Sequence, residues 1–301
     1  MTLVVGIDPG RRSASVVELA ATLARSARTD LVVAAIVPRT WPLSAGTADA
    51  EWRSYTRDAA NAALDHAAAV LGDAVPAVYV VHEASSARRG LVELAEEHDA
   101  ALLVIGSSSD GAPGRVGFGS ESDALLHASS VPVAIAPRGY RTPSDGVIGR
   151  VTAAYRGTEA SSELVRGAAE VAGVVGAALR IATFVVVPRT SGSDGAGLGA
   201  EDRIVAQWAR DVERDAALLL AEVATLQDPP PRDGTVIGVG ESWGAAVGDL
   251  PWRDDEVLVV GSSSLGPLAR VFLGSHATKI VRHSPVPVVV VPRRAAPATS
   301  R

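Results

Sequence analysis

Two short segments rich in glycine and serine carry the residues with the clearest chemical meaning. The first contains Gly106 and Ser109 and, after nine further residues, Gly119 and Ser120. The second repeats these residue types at the same spacing, as Gly261, Ser264, Gly274 and Ser275. Glycine lets a backbone come close to a phosphate group, and free N–H groups at a helix start bind anions. Each segment therefore predicts a phosphate-binding loop.

Three charged residues near these segments are candidates for further ligand contacts. Arg115 and Arg270 precede the second glycine of their segments by four residues, where a guanidinium could neutralise phosphate charge. A solvated loop arginine is an equally good reading. Asp8 follows an apolar run, and a carboxylate there could accept hydrogen bonds from a ribose hydroxyl or an adenine amine. A turn or helix-capping aspartate is the alternative for Asp8.

The two segments belong to an internal repeat. Residues 106–138 and 261–293 align without a gap and share 15 of 33 positions, which is too many for chance. We therefore predict two domains, residues 1–138 and 150–301. The intervening residues 139–149 contain proline, serine, aspartate and glycine, a composition typical of a linker.

Short β-branched runs alternate with helical patterns in both copies, which predicts an α/β fold with a five-stranded parallel Rossmann-like sheet in each. Predicted strands lie at 3–7, 31–37, 77–81, 101–105 and 133–136, and at 151–155, 179–187, 235–239, 257–260 and 288–291. Residues 190–200 and 227–234 are predicted loops. In such sheets ligands bind beyond the carboxyl ends of the strands, where both glycine-rich segments lie.

Composition excludes several classes of function. The chain of 301 residues has a net charge of −6 and no cysteine, so it offers no basic field for nucleic acid or membrane and no disulfide or thiolate chemistry. Its apolar runs are too short for a membrane helix, and its histidines lack metal-ligand spacing. We therefore expect a cytoplasmic protein without a metal site of its own.

With these motifs, nearly the whole chain resembles the universal stress protein family, in its tandem UspA-like form. The resemblance implies an adenine nucleotide alpha hydrolase-like fold that binds ATP, with any Mg²⁺ arriving on the nucleotide. It implies a stress-response regulator or adaptor that acts on protein partners, with at most weak ATP hydrolysis. The family's adenine and ribose contacts match Gly6, Asp8 and Val37, and its phosphate contacts match Gly106, Gly119 and Ser120.

Two departures from the family's pattern bear on binding. Ser109 and Ser264 replace a glycine of the signature, and a Cβ there could crowd phosphates or strain the backbone by about 1 kcal/mol. Arg156 replaces the strand-end aspartate in the second copy, so the first copy is expected to be the better nucleotide site. The residue beside the expected phosphates favours the second copy instead, because it is the acid Glu121 in the first copy and His276 in the second. An alternative is the same fold without nucleotide, acting only through protein partners.

The resemblance also implies that the last strands of the two copies, residues 131–137 and 286–292, pair across a pseudo-two-fold axis within the chain. Prolines at both ends of each strand suit an edge strand. Two independent domains joined by a linker are the alternative, and further pairing between chains stays open.

A serine esterase is a remote alternative. Gly240 to Gly244 matches the Gly-x-Ser-x-Gly nucleophile elbow around Ser242, and a triad could be completed by Asp254 or Asp255 with His276 or His283. The corresponding turn of the first copy has no elbow, and each unit is small for a hydrolase. The sequence therefore favours a regulator over an enzyme.

Overall fold

The first half of the chain forms a five-stranded α/β unit. The computed structural model describes residues 2–11, 14–39, 47–73, 75–108, 111–187, 198–262 and 274–292. The elements of the first unit are β1 (Thr2–Ile7), α1 (Ala14–Ala27), β2 (Asp30–Pro38), α2 (Thr47–Leu71), β3 (Ala77–Ala84), α3 (Ala87–Glu97), β4 (Ala100–Gly106), α4 (Ser120–Ala128) and β5 (Val133–Ala136).

The second half repeats the same order of elements. They are β6 (Arg150–Ala154), α5 (Glu159–Val175), β7 (Ala178–Val186), α6 (Leu198–Val223), β8 (Arg232–Gly240), α7 (Trp243–Gly248), β9 (Glu256–Gly261), α8 (Ser275–His283) and β10 (Val288–Val291). All ten predicted strands are confirmed, with bounds within three residues of those expected. The two loop predictions need correction, because residues 198–200 begin α6 and residues 232–234 begin β8.

The strands form because apolar residues there can be covered from both sides. Between exposed Asp30 and Pro38, every residue of β2 is buried, as expected for a parallel strand with helices on both faces. Edge strand β3 is instead largely accessible along its length. Burial on two faces thus accounts for the continuous apolar runs in the sequence.

All ten strands join one sheet in the order β3-β2-β1-β4-β5-β10-β9-β6-β7-β8. Neighbours are parallel except β5 and β10, which are antiparallel, with Val288 opposite Ile135 and Val290 opposite Val133. This confirms the predicted pairing of the last strands. Each is the edge of its own unit, and the two edges cover each other at the middle of the sheet.

The core is shared between the units on one face of this sheet. A single apolar cluster there contains Leu126 and Ile135 of the first unit together with Leu258, Ile280 and Val288 of the second. On the opposite face each unit has its own cluster. The alternative of two independent domains is therefore wrong.

Residues 139–149, the predicted linker, lie along α1. The Arg25 guanidinium donates to the carbonyl of Gly146 at 2.9 Å, and the N–H of Ile148 donates to the hydroxyl of Ser26 at 2.9 Å. Ile148 is buried in the core of the second unit. The connection is thus packed against both units.

A buried ionic cluster distinguishes the second unit from the first. The Glu256 carboxylate accepts from Arg180 at 2.6 Å and from Arg150 at 2.5 Å, and it also accepts from the hydroxyl of Thr152. The Arg180 guanidinium lies 5.2 Å from the ring centre of Trp252. Burial lowers the pKa of Arg180, and the Glu256 carboxylate partly opposes that shift.

Candidate functional site

The loop between β4 and α4 is held closed by its own backbone and by one serine. The N–H of Ser108 donates to the carbonyl of Gly117 at 3.0 Å. The hydroxyl of Ser107 accepts from the N–H of Gly117 at 3.1 Å and donates to the carbonyl of Ala136 at 2.6 Å. The loop is thereby tied to the end of β5.

Two glycines inside this loop make a close contact that sequence reasoning missed. A Cβ placed on Gly117 would lie 2.9 Å from the Cα of Gly111, a distance that no side chain tolerates. Gly114, between them, has a φ of +70°, in the region that favours glycine. The sequence did carry a signal for this contact, because these glycines recur at every third position.

The helices that follow the two glycine-rich segments begin without a capping side chain. Gly119 is the N-cap of α4 and Gly274 is the N-cap of α8, and neither makes a side-chain capping bond. In contrast, α3, α5 and α7 are capped by the hydroxyls of Ser86, Thr158 and Ser242. The first N–H groups of α4 and α8 lack this internal acceptor. A phosphate group is one acceptor that could take its place.

The glycines that end β4 and β9 are not required by the fold. A Cβ on Gly106 would meet only Val16, at 3.8 Å, and one on Gly261 would meet Leu164 at 3.6 Å. Both are ordinary contacts. A ligand that approaches the backbone closely would give a reason for glycine at both positions.

Asp8 lies at the same edge of the sheet as Gly106, because β1 and β4 are parallel neighbours. One oxygen of its carboxylate accepts from the N–H of Gly10 at 2.8 Å, and the other lies 3.6 Å from the Arg11 guanidinium. This is the turn role foreseen as the alternative for Asp8. Its side chain is 60% exposed, so both oxygens remain accessible to a ligand.

The other two residues matched to adenine and ribose contacts occupy different surroundings. Gly6 packs closely against α3, because a Cβ there would lie 2.8 Å from a terminal methyl of Leu91 and that side chain would have to shift. Val37 is buried in the core of the first unit. Since Ile7 at the end of β1 pairs with Ala35, β2 continues past β1 and leaves a step at the sheet edge where Val37 lies.

Arg115 contacts the other unit of the chain. Its guanidinium donates to the carbonyl of His283, the last residue of α8, while its carbonyl accepts from the N–H of Arg138 at 3.0 Å. The bond to His283 uses one nitrogen of the guanidinium, which has further N–H donors. The phosphate role of Arg115 stays a prediction, and the sequence carried no sign of its bond to His283.

The second unit repeats part of this geometry. The N–H of Ser262 donates to the carbonyl of Val291 at 3.0 Å, as that of Ser107 donates to Ala136 at 3.1 Å. Gly261 ends β9, Gly274 precedes α8 and Ser275 begins it. Ser109, Ser264 and Arg270 lie outside the described residues, as do the neighbours that would complete both loops.

Positive charge collects at the start of α8. The rings of His276 and Trp243 are centred 5.1 Å apart, and the Lys279 ammonium lies 5.9 Å from the centre of the Trp243 ring. Partial burial, followed by the charges of Arg156 and Lys279, lowers the pKa of His276 below its ordinary 6.5. The side chains of Arg156, His276 and Lys279 therefore experience one another's charge.

The geometry contradicts the esterase triad. The hydroxyl of Ser242 accepts from the N–H of Ala245 at 3.2 Å as the cap of α7, beyond the carboxyl end of β8. Asp254 and Asp255 precede β9 and so lie at the amino ends of the same parallel strands. The six residues of β9 separate these ends by about 20 Å. Neither aspartate can orient a histidine beside Ser242.

Metal-binding groups and membrane-spanning helices are absent from residues 2–11, 14–39, 47–73, 75–108, 111–187, 198–262 and 274–292. Within those ranges, no group of three or more histidine, aspartate or glutamate side chains could hold a metal ion. In the same part of the chain, no helix has the length and apolar character needed to cross a membrane.

Comparison with known proteins identifies the family. The model of the universal stress protein family matches residues 1–137 and again residues 148–292. A universal stress protein of Mycobacterium tuberculosis strain H37Rv is 37% identical over 297 residues, covering 97% of this chain and 100% of that protein. One from Mycobacterium bovis matches equally well. The crystal structure of a universal stress protein from Archaeoglobus fulgidus DSM 4304 covers 97% of this chain and 98% of its own, with 19% identity and a TM-score of 0.63. The chain therefore belongs to the universal stress protein family.

Proposed function

We propose that the first unit binds ATP or a related adenine nucleotide and that the protein acts as a regulator or adaptor in a stress response. The observation that carries this proposal is the start of α4. Its N-cap is Gly119, which has no capping side chain, and it lies beside a tightly closed glycine-rich loop at the carboxyl edge of the sheet. These are the features of an anion site built from backbone N–H groups.

The surrounding residues suit the rest of a nucleotide. The α4 start, Gly119 and Ser120, would hold phosphates, and Gly106 would let the backbone approach them. Asp8 keeps an accessible carboxylate that could accept from the ribose hydroxyls. The step in the sheet beside Val37 offers space for the adenine. Any Mg²⁺ would arrive bound to the phosphates and reduce their charge.

A regulatory role is supported by the bond between Arg115 and His283. It connects the loop that would contact the phosphates to a helix of the second unit. A nucleotide that changes this loop would therefore alter a contact between the two units, which is what a ligand-dependent adaptor needs.

The second candidate is the same fold acting through protein partners without nucleotide. The serines that replace glycine at positions 109 and 264 favour it, because a side chain there could occupy phosphate space. The two candidates differ in a single measurable property, nucleotide affinity.

Calorimetric titration of the purified chain with ATP and Mg²⁺ tests the proposal, after denaturation and chromatography to detect nucleotide carried through purification. Gly119→Asp would place a carboxylate where phosphate should lie. We expect it to weaken ATP binding at least about tenfold, since a charge-assisted bond is worth about 1.5–3 kcal/mol. Asp8→Ala should also weaken binding, through loss of the sugar contact.

Gly167→Asp is the matched control, because it adds the same charge at an exposed position of α5 where no atom lies near the added Cβ. It should bind ATP like the original chain. Loss of affinity in Gly119→Asp with an unchanged Gly167→Asp supports the proposal. A chain that neither binds ATP nor carries nucleotide would favour the partner-only candidate.

A further inference from the structure

Three basic side chains lie at the carboxyl edge of the second unit's sheet. Arg156 follows β6, and His276 and Lys279 lie on α8; we call these three residues the cationic cluster. Trp243, the first residue of α7, keeps two of them together, with His276 at 5.1 Å between ring centres and the Lys279 ammonium at 5.9 Å from the ring centre. The cluster is thus built on a shared aromatic support.

Among the residues that the structure describes, no carboxylate forms an ion pair with Arg156 or Lys279. By contrast, the arginines at positions 57, 89, 166 and 253 all pair with carboxylates. Like charges held close together repel, so an anion bound among them would relieve that repulsion.

The same positions carry the opposite charge in the first unit. Asp8 corresponds to Arg156, and Glu121 corresponds to His276. Lys279 corresponds to Ala124, and its neighbour Thr278 to Asp123. The two units therefore share a backbone frame but differ in the sign of the charge that they present to a ligand.

We propose that the second unit binds a chain of phosphates through the cationic cluster and makes no sugar contact. The carboxylate that would accept from ribose hydroxyls is replaced by the Arg156 guanidinium, a donor that suits phosphate oxygens. The inference rests on the cationic cluster and on the start of α8, which has no capping side chain, and it does not depend on ATP binding in the first unit. Inorganic polyphosphate and the phosphate tail of a nucleotide share this chemistry.

The experiment is calorimetric titration of the full chain with inorganic tripolyphosphate, ATP and adenosine in parallel. Arg156→Ala and Lys279→Ala should each weaken tripolyphosphate binding about tenfold or more, because each removes a charge-assisted bond. Arg156→Lys keeps the charge and should retain most of the affinity. Binding should also weaken as salt is added. Arg214→Ala is the matched control, since it removes an exposed arginine of α6 that pairs with nearby aspartates.

The outcomes separate the two sources and the two proposals. Tripolyphosphate binding that depends on Arg156 assigns the cluster to free polyphosphate. No tripolyphosphate binding, with an ATP site that is lost in Arg156→Ala, assigns it to a nucleotide tail. The inference is overturned if Arg156→Ala and Lys279→Ala change neither titration, or if Arg214→Ala changes them as much. If Gly119→Asp is the one substitution that abolishes ATP binding, the result bears on the proposal for the first unit and leaves the inference about the second unit unchanged.

Discussion

At the scale of single residues, the two candidate sites combine a common backbone with different side chains. Gly106 and Gly261 end equivalent strands, and neither is demanded by packing within the chain. Gly119 and Gly274 begin equivalent helices without capping side chains. The two sites differ in charge, because Asp8 in the first unit corresponds to Arg156 in the second. We therefore expect phosphate binding to depend on the repeated frame, and ligand preference to depend on individual side chains.

The protonation of His276 gives a prediction at this scale. Partial burial and the charges of Arg156 and Lys279 lower its pKa. A bound polyanion would reverse the sign of the local field, so binding should take up a proton on His276. Tripolyphosphate affinity should therefore rise as the pH falls from about 8 to about 5.5, through the histidine range.

The measurement is the same calorimetric titration repeated across this pH range, with His276→Gln as the reference. Protonation of tripolyphosphate itself affects both proteins equally, so the difference between them reports the histidine. Parallel pH profiles for the two proteins would show that His276 takes no part.

At the scale of elements, the second unit replaces part of an apolar core with charge. Helix α7 has 6 residues where α3 has 11. The indole N–H of Trp252, which follows α7, donates to the carbonyl of Val247 at 2.7 Å. Beneath it lie Arg180 and Glu256, each about 1% exposed. A shorter helix is thus accompanied by a buried ionic cluster.

We predict that Glu256→Ala strongly destabilises the fold. It would leave the Arg150 and Arg180 guanidiniums buried without their shared carboxylate, and loss of one partner of a buried pair costs about 3–5 kcal/mol. The free energy of unfolding from denaturant titration measures this. Glu222→Ala is the control, because its pair with Arg166 is exposed and should contribute less than about 1 kcal/mol. Similar losses for both substitutions would contradict a special role for the buried cluster.

At the scale of the whole molecule, the units form one body. The sheet runs unbroken through the β5–β10 pair, and one apolar cluster contains side chains of both units. The bond from Arg115 to His283 adds a polar contact between the first loop and the second unit. Neither unit could unfold without exposing the apolar surface of the other.

We therefore predict a single cooperative unfolding transition for the chain. Tryptophan fluorescence should change at the same denaturant concentration as the circular dichroism of both units. The fluorescence comes from two tryptophans of the first unit, Trp41 and Trp52, and three of the second, Trp208, Trp243 and Trp252. Glu256→Ala, although confined to the second unit, should shift both signals together. Two separate transitions, or a shift in fluorescence alone, would show that the units unfold independently.

The sequence by itself determined the repeat, the ten strands and the position of both glycine-rich segments. Each of these depends on local spacing and on periodic burial, which a sequence carries directly. The pairing of the last strands was expected only from the family resemblance. It could not determine that Arg115 bonds to His283, that Gly111 meets Gly117, or that Arg180 and Glu256 form a buried pair. It also allowed a triad of Ser242 with Asp254 or Asp255 that the fold forbids. Only the tertiary structure decides such contacts, because they depend on the order of the strands and on the edge of the sheet at which each side chain emerges.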